Sequence, residues 1–249
     1  MTFPTHLYKY QRLTAHTLAS LLNDTVWLSS PTSFNDPFDC AIPLSNKKIK
    51  ESIEHALTNL AARTNIPIEQ IPNYDKVFSS DKDAYETLRN SLKETMKKIG
   101  VLCLSSVPDE ILMWSHYADH HRGFCVAYDF AENSYLRKIA HPVRYSETLP
   151  VLSLTNLDKD AETNFIDTCV FTKAKKWEYE QEWRVLMHEG GRCFQSPSTL
   201  TSIIFGARMS LEDKVMLYQA LRKKKELVFK EAELLEDRFG IQFKEFSLP

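Results

Sequence analysis

The chain has no CxxC pair, no glycine-rich loop behind a strand and no apolar run long enough to span a membrane. Each absence removes a class of protein. Without CxxC, neither a zinc ribbon nor a thioredoxin-type motif is expected. The five cysteines, Cys40, Cys103, Cys125, Cys169 and Cys193, are odd in number and widely spaced, as reduced thiols in a cytoplasmic protein are. Without a glycine-rich phosphate loop, neither a Rossmann nor a P-loop nucleotide site is supported. A membrane span needs about 20 apolar residues, and the opening MTFPTHLYKY lacks the basic-then-apolar order of a signal peptide. Net charge is only −2, so no overall attraction to nucleic acid or to an anionic membrane follows. The basic run Arg222–Lys225 reads as a solvated helix end.

What is present is ordinary globular material. The 249 residues are 43% hydrophobic and 26% charged, enough to bury a core without disulfides or a structural metal. Strands are expected at Leu7–Tyr10, Thr25–Ser29, Val101–Ser105, Gly123–Asp129, Val143–Ser146, Glu182–Met187 and Ser202–Phe205, with two more in the tail ending at Ile241–Phe246. Helices are expected at Thr14–Leu22 behind a Thr14 cap, Asn46–Thr64, Asp81–Ile99, Asp109–Ala118, Asp160–Thr172 and Ser210–Arg222, the last with Ser210 and Asp213 at near capping-box spacing. The irregular interleaving points to an α+β fold. The expectation is a mixed, mainly antiparallel sheet core with flanking helices, one domain over 1–249 with a helical insertion at about 46–99.

Three segments concentrate polar and aromatic residues. WLSSPTSFNDPFD, 27–39, is a loop that combines Ser29, Ser30, Phe34, Asn35 and Asp36, as binding loops do; a turn whose Asn and Asp satisfy their own backbone has the same composition. MWSHYADHHRGF, 113–124, would put His116 and His120 on one helix face, four residues apart. No HExxH pattern and no acidic third ligand accompany them, so no metal is assigned. Either Trp114, His116 and Tyr117 line a pocket with Arg122 reaching an anion, or Trp114 is core and the helix simply ends at Gly123. In KWEYEQEWR, 176–184, Glu178, Glu180 and Glu182 alternate and on a strand would share one face. That pattern fits a charged edge strand or an acid poised beside a site, with Lys175, Lys176 and Arg184 as partners.

LYKY, WLSSPTSFNDPFDC, ILMWSHYADHHRGFCVAYDF, KWEYEQEWRV and IIFGARMS together resemble the bacterial domain-of-unknown-function family 2971, in order and over nearly the whole chain. That family carries no established activity. A second resemblance is to ADP-ribosyltransferases, whose first strand bears a polar or basic residue, whose second bears a hydroxyl or aromatic, and whose late strand carries a glutamate. It implies an NAD-dependent transfer of ADP-ribose to a protein or nucleic-acid acceptor, with NAD as substrate and a toxin or defence setting. By that likeness Glu182 is the catalytic acid and Glu180 its companion. Tyr8, Lys9, Tyr10, Ser29, Ser30, Phe34, Asn35, Asp36, Trp114, His116, Tyr117 and Arg122 surround the dinucleotide, with Tyr10 or Phe34 stacking on nicotinamide. The sequence departs from that pattern in offering Lys9 and Tyr10 where many relatives have His or Arg. Two other classes share these residues: a non-catalytic nucleotide- or peptide-binding module, and a metal-dependent hydrolase or nuclease using Asp36, Asp39, Glu182 and a His. Glu182 is expected on a strand, facing a pocket that also receives residues from 8–10 and 27–36, and as an exposed-strand residue its change to Gln is expected to cost little stability.

Overall fold

The computed structural model describes residues 3–41, 58–59, 61–67, 70, 82–150 and 161–248. The chain divides into two compact units. The first comprises 1–29, 100–143 and 176–249; the second comprises 30–99 and 144–175.

The first unit is built on one eight-stranded sheet. Its strands are β1 (His6–Gln11), β3 (Gly100–Ser105), β4 (Phe124–Asp129), β5 (Ala140–Pro142), β8 (Glu182–Met187), β10 (Leu200–Phe205), β11 (Val228–Leu234) and β12 (Ile241–Glu245), in the order β12-β11-β10-β4-β1-β3-β8-β5. Every neighbouring pair is antiparallel except β10 with β11, so the expected mixed, mainly antiparallel core is what forms. A small separate pair joins β2 (Thr25–Leu28) to β9 (Arg192–Gln195).

Alternation sorts the sheet into two faces. Leu7, Leu102, Leu104, Val126, Tyr128, Trp183 and Val185 belong to the large apolar cluster, which also takes Leu21 of α1 (Ala15–Leu22) and Leu217 and Leu221 of α6 (Leu211–Leu221). The intervening residues Tyr10, Cys125 and Ile204 form a second cluster with Met113 and Trp114 of α3 (Ile111–Tyr117). Both expected caps are present. Thr14 Oγ1 accepts from the Thr17 amide at 3.1 Å in a reciprocal box, and Ser210 Oγ accepts from the Asp213 amide at 3.1 Å. The short helix α4 (Tyr135–Ile139) leads into β5.

In the second unit, α2 (Lys82–Lys98) and α5 (Ala161–Val170) accompany a parallel pair of β6 (Arg144–Ser146) with β7 (Thr172–Ala174). A buried ion pair ties Lys173 to Asp39 at 3.5 Å. Of the expected helical insertion, 82–98 is helical and 58–59 and 61–64 are helical, while most of Asn46–Thr64 lies outside the described residues. No helix of the described residues is long and apolar enough to cross a membrane.

Candidate functional site

Strand β3 organises the site because its edge opposite β8 is shared. Near its start Val101 exchanges both backbone hydrogen bonds with Ser29, at 3.0 and 2.8 Å. Near its end Ser105 pairs with Tyr8 of β1. Alternate residues of a strand turn their backbone groups to the same side, so the Cys103 carbonyl faces the stretch between. There the Lys9 ammonium donates to it at 3.2 Å. β1 and the segment after β2 thus split one strand edge, and a lysine side chain bridges the split. Burial lowers the Lys9 ammonium from its usual range, partly offset by nearby Cys103 and Glu182.

Across β3 the row continues. Ser105 is paired with Glu182 and Cys103 with Arg184 on β8. Directly paired residues share a face, so Tyr8, Ser105 and Glu182 form one row over three strands. Glu182 is 4% exposed and Arg184 not at all; Nε donates to Oε1 at 2.7 Å and a terminal guanidinium nitrogen donates to Oε2 at 3.0 Å. Burial pushes the Cys103 thiol up, and Glu182 adds to that shift while Arg184 and Lys9 oppose it.

The acidic run is not one strand. Lys175–Glu180 forms a 3-10 helix, Gln181 sits at a left-handed φ of 43°, and only then does β8 begin. Glu178 is therefore exposed on the helix, while Glu180 is buried at its end. The Tyr117 hydroxyl donates to Glu180 Oε1 at 2.8 Å, and the Ser105 hydroxyl donates to the Glu180 carbonyl at 2.7 Å. Of the two readings of this run, the charged edge strand does not hold: β8 lies between β3 and β5, inside the sheet.

α3 packs on Tyr10 of β1 and Cys125 of β4. Its Trp114 is fully buried and donates from Nε1 to the Pro108 carbonyl at 2.8 Å, so it is core. His116 is exposed, and its ring centroid lies 6.1 Å from Tyr117 and 6.3 Å from Trp177, which in turn lies 6.0 Å from Tyr179. Tyr10 is buried, edge-on to Trp114 at 5.2 Å, with its hydroxyl on the Val107 carbonyl at 2.8 Å. That packing leaves Tyr10 no face for stacking on a ligand. Burial raises the phenols of both Tyr8 and Tyr10.

After α3 the chain enters a left-handed turn of three non-glycine residues, Asp119, His120 and His121, at φ 48°, 55° and 68°. His116 and His120 thus do not share a helix face, because the helix ends at Tyr117. The turn locks onto the segment IIFGARMS. The Arg208 amide donates to the His121 carbonyl and the Gly206 amide to the Gly123 carbonyl, both at 2.9 Å. A Cβ on Gly206 would run into the His121 carbonyl oxygen, and one on Gly123 into the Gln11 carbonyl oxygen. Arg122 is exposed on this turn.

Ser30, Phe34, Asn35 and Asp36 belong to the second unit. Ser30 caps a 3-10 turn at Pro31–Ser33 and reaches the Met96 and Lys97 carbonyls at 3.3 and 3.2 Å. Phe34 and Asp36 line a cavity of about 370 Å³ with Pro31, Cys40 and Met96. Among the described residues, no three His, Cys, Asp or Glu side chains converge as metal ligands do. Trp177 and Tyr179 were not singled out by sequence reading as site residues; their spacing on either side of Glu178 was the available signal.

Residues 113–185, from α3 into β8, match the model of a family described as a protein of unknown function, DUF2971. No curated protein matches the chain, and no solved structure does.

Proposed function

We propose that the first unit binds NAD and transfers its ADP-ribose to a macromolecular acceptor. The observation that carries this reading is the Tyr8–Ser105–Glu182 row, with Lys9 and Ser29 on the same edge of β3. It brings the polar first strand, the hydroxyl after the second strand and the late glutamate to one strand. In the reaction the bond between ribose C1′ and the nicotinamide nitrogen breaks. Its electron pair leaves with neutral nicotinamide. The ribose carries the positive charge until an acceptor nucleophile bonds to C1′ and loses its proton.

Glu182, held at both oxygens by Arg184, supplies the negative charge that stabilises the developing ribose cation. Arg184 offsets part of the carboxylate's charge and fixes its direction, so positioning is the larger part of its help. The test is nicotinamide release from NAD by the full chain, with protein and nucleic-acid acceptors added. A Glu182→Leu/Arg184→Met double variant, shown folded by its melt, serves as control. Wild type that releases nicotinamide while the double variant loses about 10²-fold or more supports the reading. Wild type that neither binds nor cleaves NAD with any acceptor overturns it and leaves a binding module in its place.

A further inference from the structure

We infer that the cleft between Asp24, Asp129, Tyr135 and Lys225 in the first unit binds a short, uncharged saccharide. The cleft measures about 690 Å³, inside the range of about 300–1,000 Å³ that small-molecule sites occupy. Four stretches of chain form it: the turn after α1, the end of β4 with the start of α4, the link from β9 to β10, and the turn after α6. Hydrogen bonds lace these stretches together. The Asp24 carbonyl accepts from the Ser196 amide at 2.8 Å and from Gln195 Nε2 at 3.0 Å, and the Asp24 carboxylate accepts from Lys224 Nζ at 2.6 Å. The Ser198 hydroxyl donates to the Asp129 carbonyl at 2.6 Å. The walls are therefore set before a ligand arrives. α1 and α6 pack on the sheet face of Leu7 and Tyr128, and the Tyr8–Ser105–Glu182 row lies on the other, so the cleft is separate from that row.

Chemistry selects the ligand. Two cations, Lys224 and Lys225, meet two carboxylates, Asp24 and Asp129, so charge favours neither an anion nor a cation. A phosphate would have to compete with those carboxylates for the lysines. Apart from Pro197 and Leu200, the remaining lining side chains are hydroxyls and amides, which disfavours an apolar ligand. The side chains of Asn133, Tyr135, Thr199 and Lys225 make no hydrogen bond or ion pair among the described residues. They present donors and acceptors side by side. A sugar hydroxyl both donates and accepts, so it matches such a set. Tyr135 is 59% exposed, and its ring offers a flat apolar platform to the C–H face of a pyranose.

The experiment titrates the full chain with cellobiose, maltose, lactose and N,N′-diacetylchitobiose, with inorganic phosphate as the charged comparison. Saturation-transfer NMR reads the protons of the sugars, and calorimetry gives Kd. Wild type, Tyr135→Ala, Asn133→Ala and Lys225→Ala are compared, with melts on each. All three side chains are exposed, so the fold is expected to hold. Saturable binding of at least one disaccharide is expected in wild type. Tyr135→Ala should weaken it about three- to tenfold, and Asn133→Ala about two- to tenfold. Absence of saturable binding for all of these sugars overturns the inference. So does phosphate that binds more tightly than every sugar and is lost in Lys225→Ala, which would make the cleft an anion site. Sugar binding unchanged in both Tyr135→Ala and Asn133→Ala puts the sugar elsewhere and overturns it as well. The transferase reading is tested at Glu182 and this one at Tyr135 and Asn133, so each can fail without the other.

Discussion

Arg184 grips Glu182 at two points, 2.7 and 3.0 Å, inside the sheet and almost out of reach of water. The pair changes what substitution at Glu182 means. On a solvated strand, Glu→Gln would shift stability by under about 0.5 kcal/mol, and that was the expectation from sequence. Burial overturns it.

Glu182→Gln breaks a buried ion pair by removing one of its partners and should cost about 3–5 kcal/mol. The double change Glu182→Leu/Arg184→Met removes both charges and should recover more than half of that loss. Urea denaturation of wild type and the two variants decides it. A single variant as stable as wild type would mean that the pair contributes nothing.

Gly206→Ala should be among the most damaging small substitutions in the chain. The added methyl meets the His121 carbonyl, a backbone atom that cannot swing aside, and the left-handed turn and β10 must separate to admit it. A loss of about 3 kcal/mol or more is expected, read as a lowered melting temperature and poor soluble yield. Ala207→Gly next door should be mild by comparison.

His121 sets a pH dependence of stability. Its Nδ1 is buried with no hydrogen-bond partner, Nε2 lies 3.2 Å from Ser115 Oγ, and the ring stacks on Trp114. Burial first, then Arg208 and His120, lower its pKa below the ordinary histidine value. Between that lowered value and about 6.5 the unfolded chain binds the proton that the folded chain refuses. Stability contributed by neutral His121 is therefore complete above about 6.5 and lost as pH falls through this window. His121→Asn, which tolerates the left-handed φ of 68°, should flatten the melting temperature below about pH 6.5. An unchanged slope in the variant would remove His121 from the account.

Thiol labelling should single out Cys193. It is exposed, while Cys40, Cys125 and Cys169 are buried and Cys103 is partly buried. Burial also pushes Cys169 up to about 12 and Cys125 well above the usual thiol range, so few of their thiolates exist at neutral pH. One fast-reacting thiol per chain is expected with a disulfide reagent, and none in Cys193→Ser. Two or more fast thiols in the native protein would contradict the packing.

Much of the architecture was legible because period-two alternation and caps are local signals. The strands at 101–105, 124–129 and 202–205, the tail pair and the Thr14 and Ser210 caps follow from such signals. β5, β7 and β9 were not legible, since strands of three or four residues such as Arg192–Gln195 owe their state to a partner and not to their own pattern. The acidic run misled for a definite reason. Trp177, Glu178, Tyr179 and Glu180 alternate as a strand would, yet Gln181 takes a left-handed conformation that nothing in its side chain announces. Glu180 and Glu182 are both buried, and that burial depends on strand order, which is not written in any one segment.

The neighbours of β4 and β8 have a consequence for the stretch that carries the family likeness. Residues 113–185 contain β4 but neither β1 nor β10, its partners on both sides, and contain the start of β8 without β3. The left-handed turn likewise closes on Gly206 and Arg208, beyond the end of the stretch. Such a piece is a signature of the fold and not a portable module. Cut out alone it would present two bare strand edges and an unlatched turn, an invitation to self-association. Grafting it into another protein would transfer the rings and carboxylates without the sheet that aims them.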